Sequence, residues 1–137
     1  MKKRINEPQK NIGIRISAES PPNYNAMCPI FSLERIQQGD FCFSNLETGD
    51  KAAFADSIFK RRTLTWERVQ REDRHKLGSE KISKKRIKAT IPKFITDDEQ
   101  NFLALRFNGL KAMVGYKVNN IFYVLWFDPK FKLYEHG

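Results

Sequence analysis

Along the last third of the chain, apolar and polar positions alternate with period two. Leu103, Leu105 and Phe107 fall on one face of an extended segment, and Phe102, Ala104 and Arg106 on the other, which predicts a strand. Asn108-Gly109 turns the chain into a second strand through Met113, Val114, Gly115, Tyr116 and Val118. Asn119-Asn120, tolerant of a left-handed backbone, then turns it into a third. That third segment, Ile121 to Phe127, is apolar at every position, as expected of a central strand covered on both faces. After Asp128-Pro129, Phe131 and Leu133 predict a final strand, with Tyr134 and His136 near the end.

Upstream, Ile30, Phe31, Leu33 and Ile36 form one apolar stretch and Phe41-Cys42-Phe43 another. The Gln37-Gln38-Gly39-Asp40 turn between them predicts a hairpin. From Lys51 to Arg62 the apolar positions Phe54, Ala55, Ile58 and Phe59 take helical spacings. Thr65 is a good N-cap for a second helix ending near Arg74, with Glu67 in its first turn and Trp66 and Val69 on one face. Leu77-Gly78 breaks it, and Gly78 suits a helix C-cap. The Lys81 to Lys88 stretch is too basic to be buried on both sides and predicts a loop or edge strand. Residues 1–27 read as an irregular arm in which Gly13 to Ser17 alternates like a short edge strand, cut off by Pro21-Pro22. Residues 28–137 read as one α+β domain: a strand or hairpin, two helices and a C-terminal antiparallel meander of three to four strands.

Composition narrows the class. The 137 residues are 40% hydrophobic, 12% aromatic and 30% charged, enough apolar area for one core without a metal or disulfide. No apolar run approaches the roughly 18 to 20 residues that cross a bilayer. The basic start MKKRINEPQK has no apolar segment behind it, so a cytoplasmic protein with no membrane partner is expected. The two cysteines, Cys28 and Cys42, and two widely spaced histidines, His75 and His136, do not make a zinc set, and no cofactor is expected. Asp97-Asp98-Glu99 reads as a solvated turn or helix start rather than a magnesium site. Phosphate-loop, dinucleotide-binding and serine-hydrolase signatures are all missing.

Charge changes the picture most. Between Lys60 and Lys93 stand thirteen basic residues against four acids, a surplus that equals the whole chain's net charge of +9. A localised surplus on an otherwise neutral chain suits phosphate-backbone binding, since each neutralised phosphate releases counterions. Arg74, Lys81, Lys84, Lys85, Arg86 and Lys88 in this stretch, with Lys117 beyond it, are the candidate nucleic-acid contacts. RNA is cut without metal when the 2′-hydroxyl is deprotonated, the phosphorane stabilised by cations and the leaving 5′ oxygen protonated. Arg106, His136, Tyr134, His75 and Glu80 supply those chemical types. Each histidine taken singly reads as structural, and only convergence on one surface makes a site.

The element order and the stretch MVGYKVNNIFYVLWFDPKFKLYEHG resemble the RelE/YoeB superfamily of bacterial toxins, over residues 29–137. The resemblance implies a small basic domain that enters the ribosome and cleaves mRNA, or, in the ParE branch, inhibits gyrase, and that a cognate antitoxin neutralises. It implies Arg106 as the cationic strand residue, Lys81, Lys84 and Lys85 as backbone grips, Tyr134 and His136 as an acid/base pair, and Glu80 as the base. Two departures stand out: the N-terminal arm is extra, and Glu135 separates Tyr134 from His136. Two other readings of the same residues are a non-catalytic basic nucleic-acid-binding module and a ParE-like inhibitor of a protein target.

Overall fold

Two tight turns generate the centre of the sheet. In the computed structural model, which describes residues 21–135, β3 (Asn101–Asn108), β4 (Lys111–Val118) and β5 (Ile121–Asp128) are joined by the two-residue loops Gly109-Leu110 and Asn119-Asn120. Only the first residue of each loop has positive φ, 59° at Gly109 and 58° at Asn119. That is the sign pattern of a type II′ turn, whose twist matches the strands it joins. β2 (Ser79–Ser83) adds antiparallel to β3, and β1 (Ile30–Ser32) adds parallel to β5, giving the order β1-β5-β4-β3-β2. The fold is α+β.

The four antiparallel strands are therefore β2 to β5, and the expected fourth strand at Phe131 to Glu135 does not form. Phe131 takes φ 59° and the Lys132 amide turns back to donate to Asp128 Oδ1 at 2.8 Å, which curls the segment over the sheet instead. The expected hairpin between residues 30–36 and 41–43 is also absent. Phe31 packs edge-on against Phe122 at 5.8 Å while Ile30 pairs with Ile121, and Phe43, in a 3-10 turn (Phe43–Asn45), wedges against Phe54 and Phe127. Burying these rings against β5 and a helix outweighs pairing two short segments with each other. Gln37 N and Phe127 N still tie this stretch to β5, through Leu125 O at 2.9 Å and Phe41 O at 2.8 Å.

Helix α1 (Thr48–Lys60) begins three residues before the expected start, with Asp50 in its first turn. Helix α2 (Trp66–Arg71) is capped as expected by Thr65, whose Oγ1 accepts from Arg68 N at 3.3 Å. It stops at Glu72, short of Arg74, because Asp73 starts a separate turn: its carbonyl accepts from Lys76 N and Gly78 N, and its carboxylate from His75 N at 2.9 Å. Gly78 is thus not a helix cap. Any Cβ there would lie 2.1 Å from the Glu72 carbonyl oxygen, so the close return of the chain demands glycine.

The sheet buries both faces. Leu105, Phe107, Met113, Phe122, Val124 and Phe127 pack under Phe54, Trp66 and Val69 of the helices. On the other face Phe102, Ala104, Ala112, Val114, Leu125 and Trp126, with Ile82 of β2, are covered by Ile87, Leu133 and Tyr134, from irregular segments rather than helices. A β-bulge makes this possible. Gly115 pairs with Val124 and Val114 with Trp126, so Leu125 is an extra residue, and it turns inward beside Trp126. No helix among the described residues is long and apolar enough to cross a membrane.

Candidate functional site

Polar side chains gather at one end of the face that the helices leave uncovered. Arg106 on β3 pairs with Ala112 on β4, and Ala112 with Asp128 on β5, so Arg106 and Asp128 close that end of the sheet. Glu80 pairs with Ala104, on the same face one alternation away. Tyr134 folds down onto them. Its phenol is pushed up to about 12, by burial first, then by the Glu80 and Asp128 carboxylates against the opposing pull of Arg106 and Arg86. The phenol therefore keeps its proton throughout the physiological range.

At the adjoining sheet edge, the Asp73 turn presents His75. Arg106 Nη1 lies 2.9 Å from His75 Nδ1. Arg74 Nη1 forms an ion pair with Glu80 Oε2 at 2.6 Å, and its Nε stands 3.4 Å from His75 Nε2. Five residues expected from sequence to matter, Arg74, His75, Glu80, Arg106 and Tyr134, thus meet at one place, although Tyr134 itself is only 1% exposed.

The remaining candidates distribute around and away from this cluster. Arg86, in the 3-10 turn (Lys84–Arg86) after β2, lies with its guanidinium carbon 5.7 Å from the Tyr134 ring centroid and donates to the Glu135 carbonyl. Lys88 pairs with the Glu135 carboxylate at 2.9 Å, and Lys84 Nζ donates to Thr96 O at 3.3 Å. Lys85 is exposed on the same turn. Lys81, paired with Leu103, points to the sheet face opposite Glu80. Lys117 sits apart, at the far end of β4 beneath α2, with its ammonium 5.6 Å from the Trp66 ring centroid and its pKa lowered by burial. His136 lies outside the described residues, as do residues 13–17 of the arm.

One residue essential to the geometry escapes a reading of the sequence. Arg61, in the run Lys60-Arg61-Arg62, looks like surface charge but is only 1% exposed. Its guanidinium donates to Leu77 O at 2.9 Å, Arg106 O at 3.1 Å and Ser57 O at 3.4 Å. Burial brings its pKa down to about 10, so it remains a cation at neutral pH while joining α1, the Asp73 turn and β3. The available signal was its spacing, since Phe54, Ser57 and Arg61 continue one buried stripe of α1. Asp50 does similar work at the other end of the helix, pairing with Lys111 at 2.8 Å and accepting from Asn108 Nδ2 at 3.0 Å. Those contacts, Lys111 foremost, hold its carboxyl below the usual range.

Beside the cluster a cleft of about 370 Å³ opens between α1 and the Asp73 turn, with His75 and Arg106 on its wall. Among the described residues no group of three or more His, Cys, Asp or Glu side chains is placed to hold a metal ion. Asp97-Asp98-Glu99 lies in a turn closed by Glu99 N donating to Thr96 O at 3.1 Å. What the end of the sheet offers chemically is a carboxylate acceptor, two guanidinium groups, an exposed imidazole whose two ring nitrogens face Arg106 and Arg74, and a phenol that stays protonated. Compared with known proteins, the chain matches no family model, no curated protein and no solved structure.

Proposed function

We propose that this protein is a metal-independent endoribonuclease of the RelE-like kind that cuts ribosome-bound mRNA. The observation that carries the reading is the His75–Arg106 hydrogen bond of 2.9 Å, at the place where Arg74 and Glu80 also pair. On this reading the Glu80 carboxylate removes the proton of a ribose 2′-hydroxyl, whose oxygen attacks the adjacent phosphorus. The bond from phosphorus to the 5′ oxygen breaks, leaving a 2′,3′-cyclic phosphate, and the His75 ring, as general acid, delivers a proton to the departing oxygen. Arg74 and Arg106, held in place by their contacts with Glu80 and His75, stabilise the extra negative charge of the phosphorane. Tyr134, buried under the cluster, acts as a neutral positioning group. The basic turn at Lys84, Lys85 and Arg86 grips the strand on either side.

The test is cleavage of end-labelled mRNA in excess EDTA, free and on stalled ribosomes, with growth followed on induced expression. Cuts ending in cyclic phosphate, blocked by a single 2′-deoxy substitution and reduced about 10²- to 10⁴-fold in Glu80→Gln, are expected. RNA that is bound but left intact in both settings would sink the enzymatic reading in favour of a binding module.

A further inference from the structure

The cleft beside the cluster has two walls from different elements. α1 contributes Asp56 and Lys60, the Asp73 turn contributes His75 and Lys76, and β3 contributes Arg106 and Asn108. Among the described residues neither Lys60 nor Lys76 is in an ion pair, and both are exposed. Asp56 is the one acid facing two lysines and an arginine, so the cleft remains net cationic. A volume of about 370 Å³ falls within the roughly 300–1,000 Å³ common for small-ligand sites.

Its floor is rigid. Arg61 clamps the carbonyls of Ser57, Leu77 and Arg106, all three of which line the cleft, so the two lysine-bearing walls are held at a fixed separation before any ligand arrives. His75 and Arg106 belong both to this wall and to the reactive cluster, so a strand occupying the cluster has the cleft as its direct continuation.

We propose that this cleft is a second phosphate-binding subsite, in which Lys60 and Lys76 hold the phosphate of the nucleotide flanking the one attacked. The proposal rests on the ribonuclease reading for the identity of the strand and extends it by fixing which way the strand leaves the cluster. Two lysines in no ion pair among the described residues, on opposed walls and reached through a shared arginine and histidine, fit a singly charged phosphodiester linkage.

A fluorescein-labelled 2′-O-methyl RNA oligonucleotide, which binds but lacks the attacking hydroxyl, separates this proposal from the catalytic one. Anisotropy titrations compare wild type, K60A/K76A and the control K51A/K130A, which carries the same charge change elsewhere. K60A/K76A is expected to weaken binding about tenfold and make the salt dependence about 0.7 less steep, the contribution of one phosphate on a single strand, while the control stays near wild type. Replacing single linkages by neutral methylphosphonates along the strand should reveal one position where neutralisation weakens wild type but has no effect on K60A/K76A. Equal affinities for K60A/K76A and the control, or additive effects at every linkage, would overturn the subsite. Cleavage by wild type alongside that result would leave the ribonuclease reading standing. Intact RNA with the non-additive linkage present would do the reverse.

Discussion

The two faces of the sheet are built from the same strands yet end up with opposite character. Under the helices, Leu105, Met113, Phe122 and Phe127 are fully buried among other apolar side chains, and the aromatic rings meet edge-on at 5.2–5.8 Å. Across the sheet, irregular segments replace the helices, and Glu80, Arg106, Asp128 and Tyr134 collect at one end of that face. Helices bring a continuous apolar stripe and satisfy their own backbone groups, so they seal a face completely. Segments without regular structure leave room for polar side chains, and their turns can aim those side chains at one another. The comparison teaches that the aromatic core and the cluster of buried and half-buried polar side chains are divided between the two sides of one sheet.

Substitutions should pull the two faces apart. Phe127→Ala, on the helix side, removes a ring that contacts Phe43, Phe54 and Phe107, and should cost about 3–5 kcal/mol in urea unfolding. Residual folded protein should cut RNA at the wild-type rate, and selective loss of activity in that fraction would contradict the division. Arg106→Ala, on the other face, should lower single-turnover cleavage about 10²- to 10³-fold while circular dichroism stays native. If melting temperature and activity fell together, Arg106 would be a structural residue and the contrast would fail.

Arg61→Met tests the joint between the faces. It leaves three carbonyls without their donor and should cost about 2–3 kcal/mol, with lost protection of the Asp73-turn amides in hydrogen exchange. The smallest effect is expected at Asp50. Its folded-state pKa is depressed, so its contribution is present above the ordinary carboxylate value and lost as pH falls through the lower folded value. Asp50→Asn should remove about 1 kcal/mol near neutral pH and flatten the acid limb of stability, read from urea midpoints between about pH 6 and pH 3. An unchanged acid limb would mean that the Lys111 pair does not bind the hairpin to α1.

The central strands were legible because their causes are local. Period-two alternation at residues 102–107, Gly109 and Asn119 at positions of positive φ, and the unbroken apolar run 121–127 each act within a few residues. Thr65 as a cap was legible for the same reason. The N-terminal hairpin and the last strand were misread because their alternatives are distant. Phe31 and Phe43 find better burial against Phe122, Phe54 and Phe127 than the two segments find in each other, and Asp128 captures the Lys132 amide. Within the candidate site, residue types were readable but not their partners. Glu80, His75 and Arg106 were singled out as acid, imidazole and cation, whereas Lys117, equally basic, lies at the far end of β4 under α2.

By itself, then, the sequence determined a basic α+β chain with its positive surplus confined to residues 60–93, three strands linked by two-residue turns, and a menu of groups able to move protons near phosphate. Tertiary structure alone decided which of those groups meet. Arg61 and Arg62 are adjacent in the chain, yet one is buried holding three carbonyls and the other reaches back over Phe59 at the surface. The physical reason is that a side chain's partners depend on packing between segments far apart in sequence, here 45 residues for Arg61 to Arg106 and 31 for Arg106 to His75. Alternation and turn chemistry act over two to four residues and carry no information about such pairings.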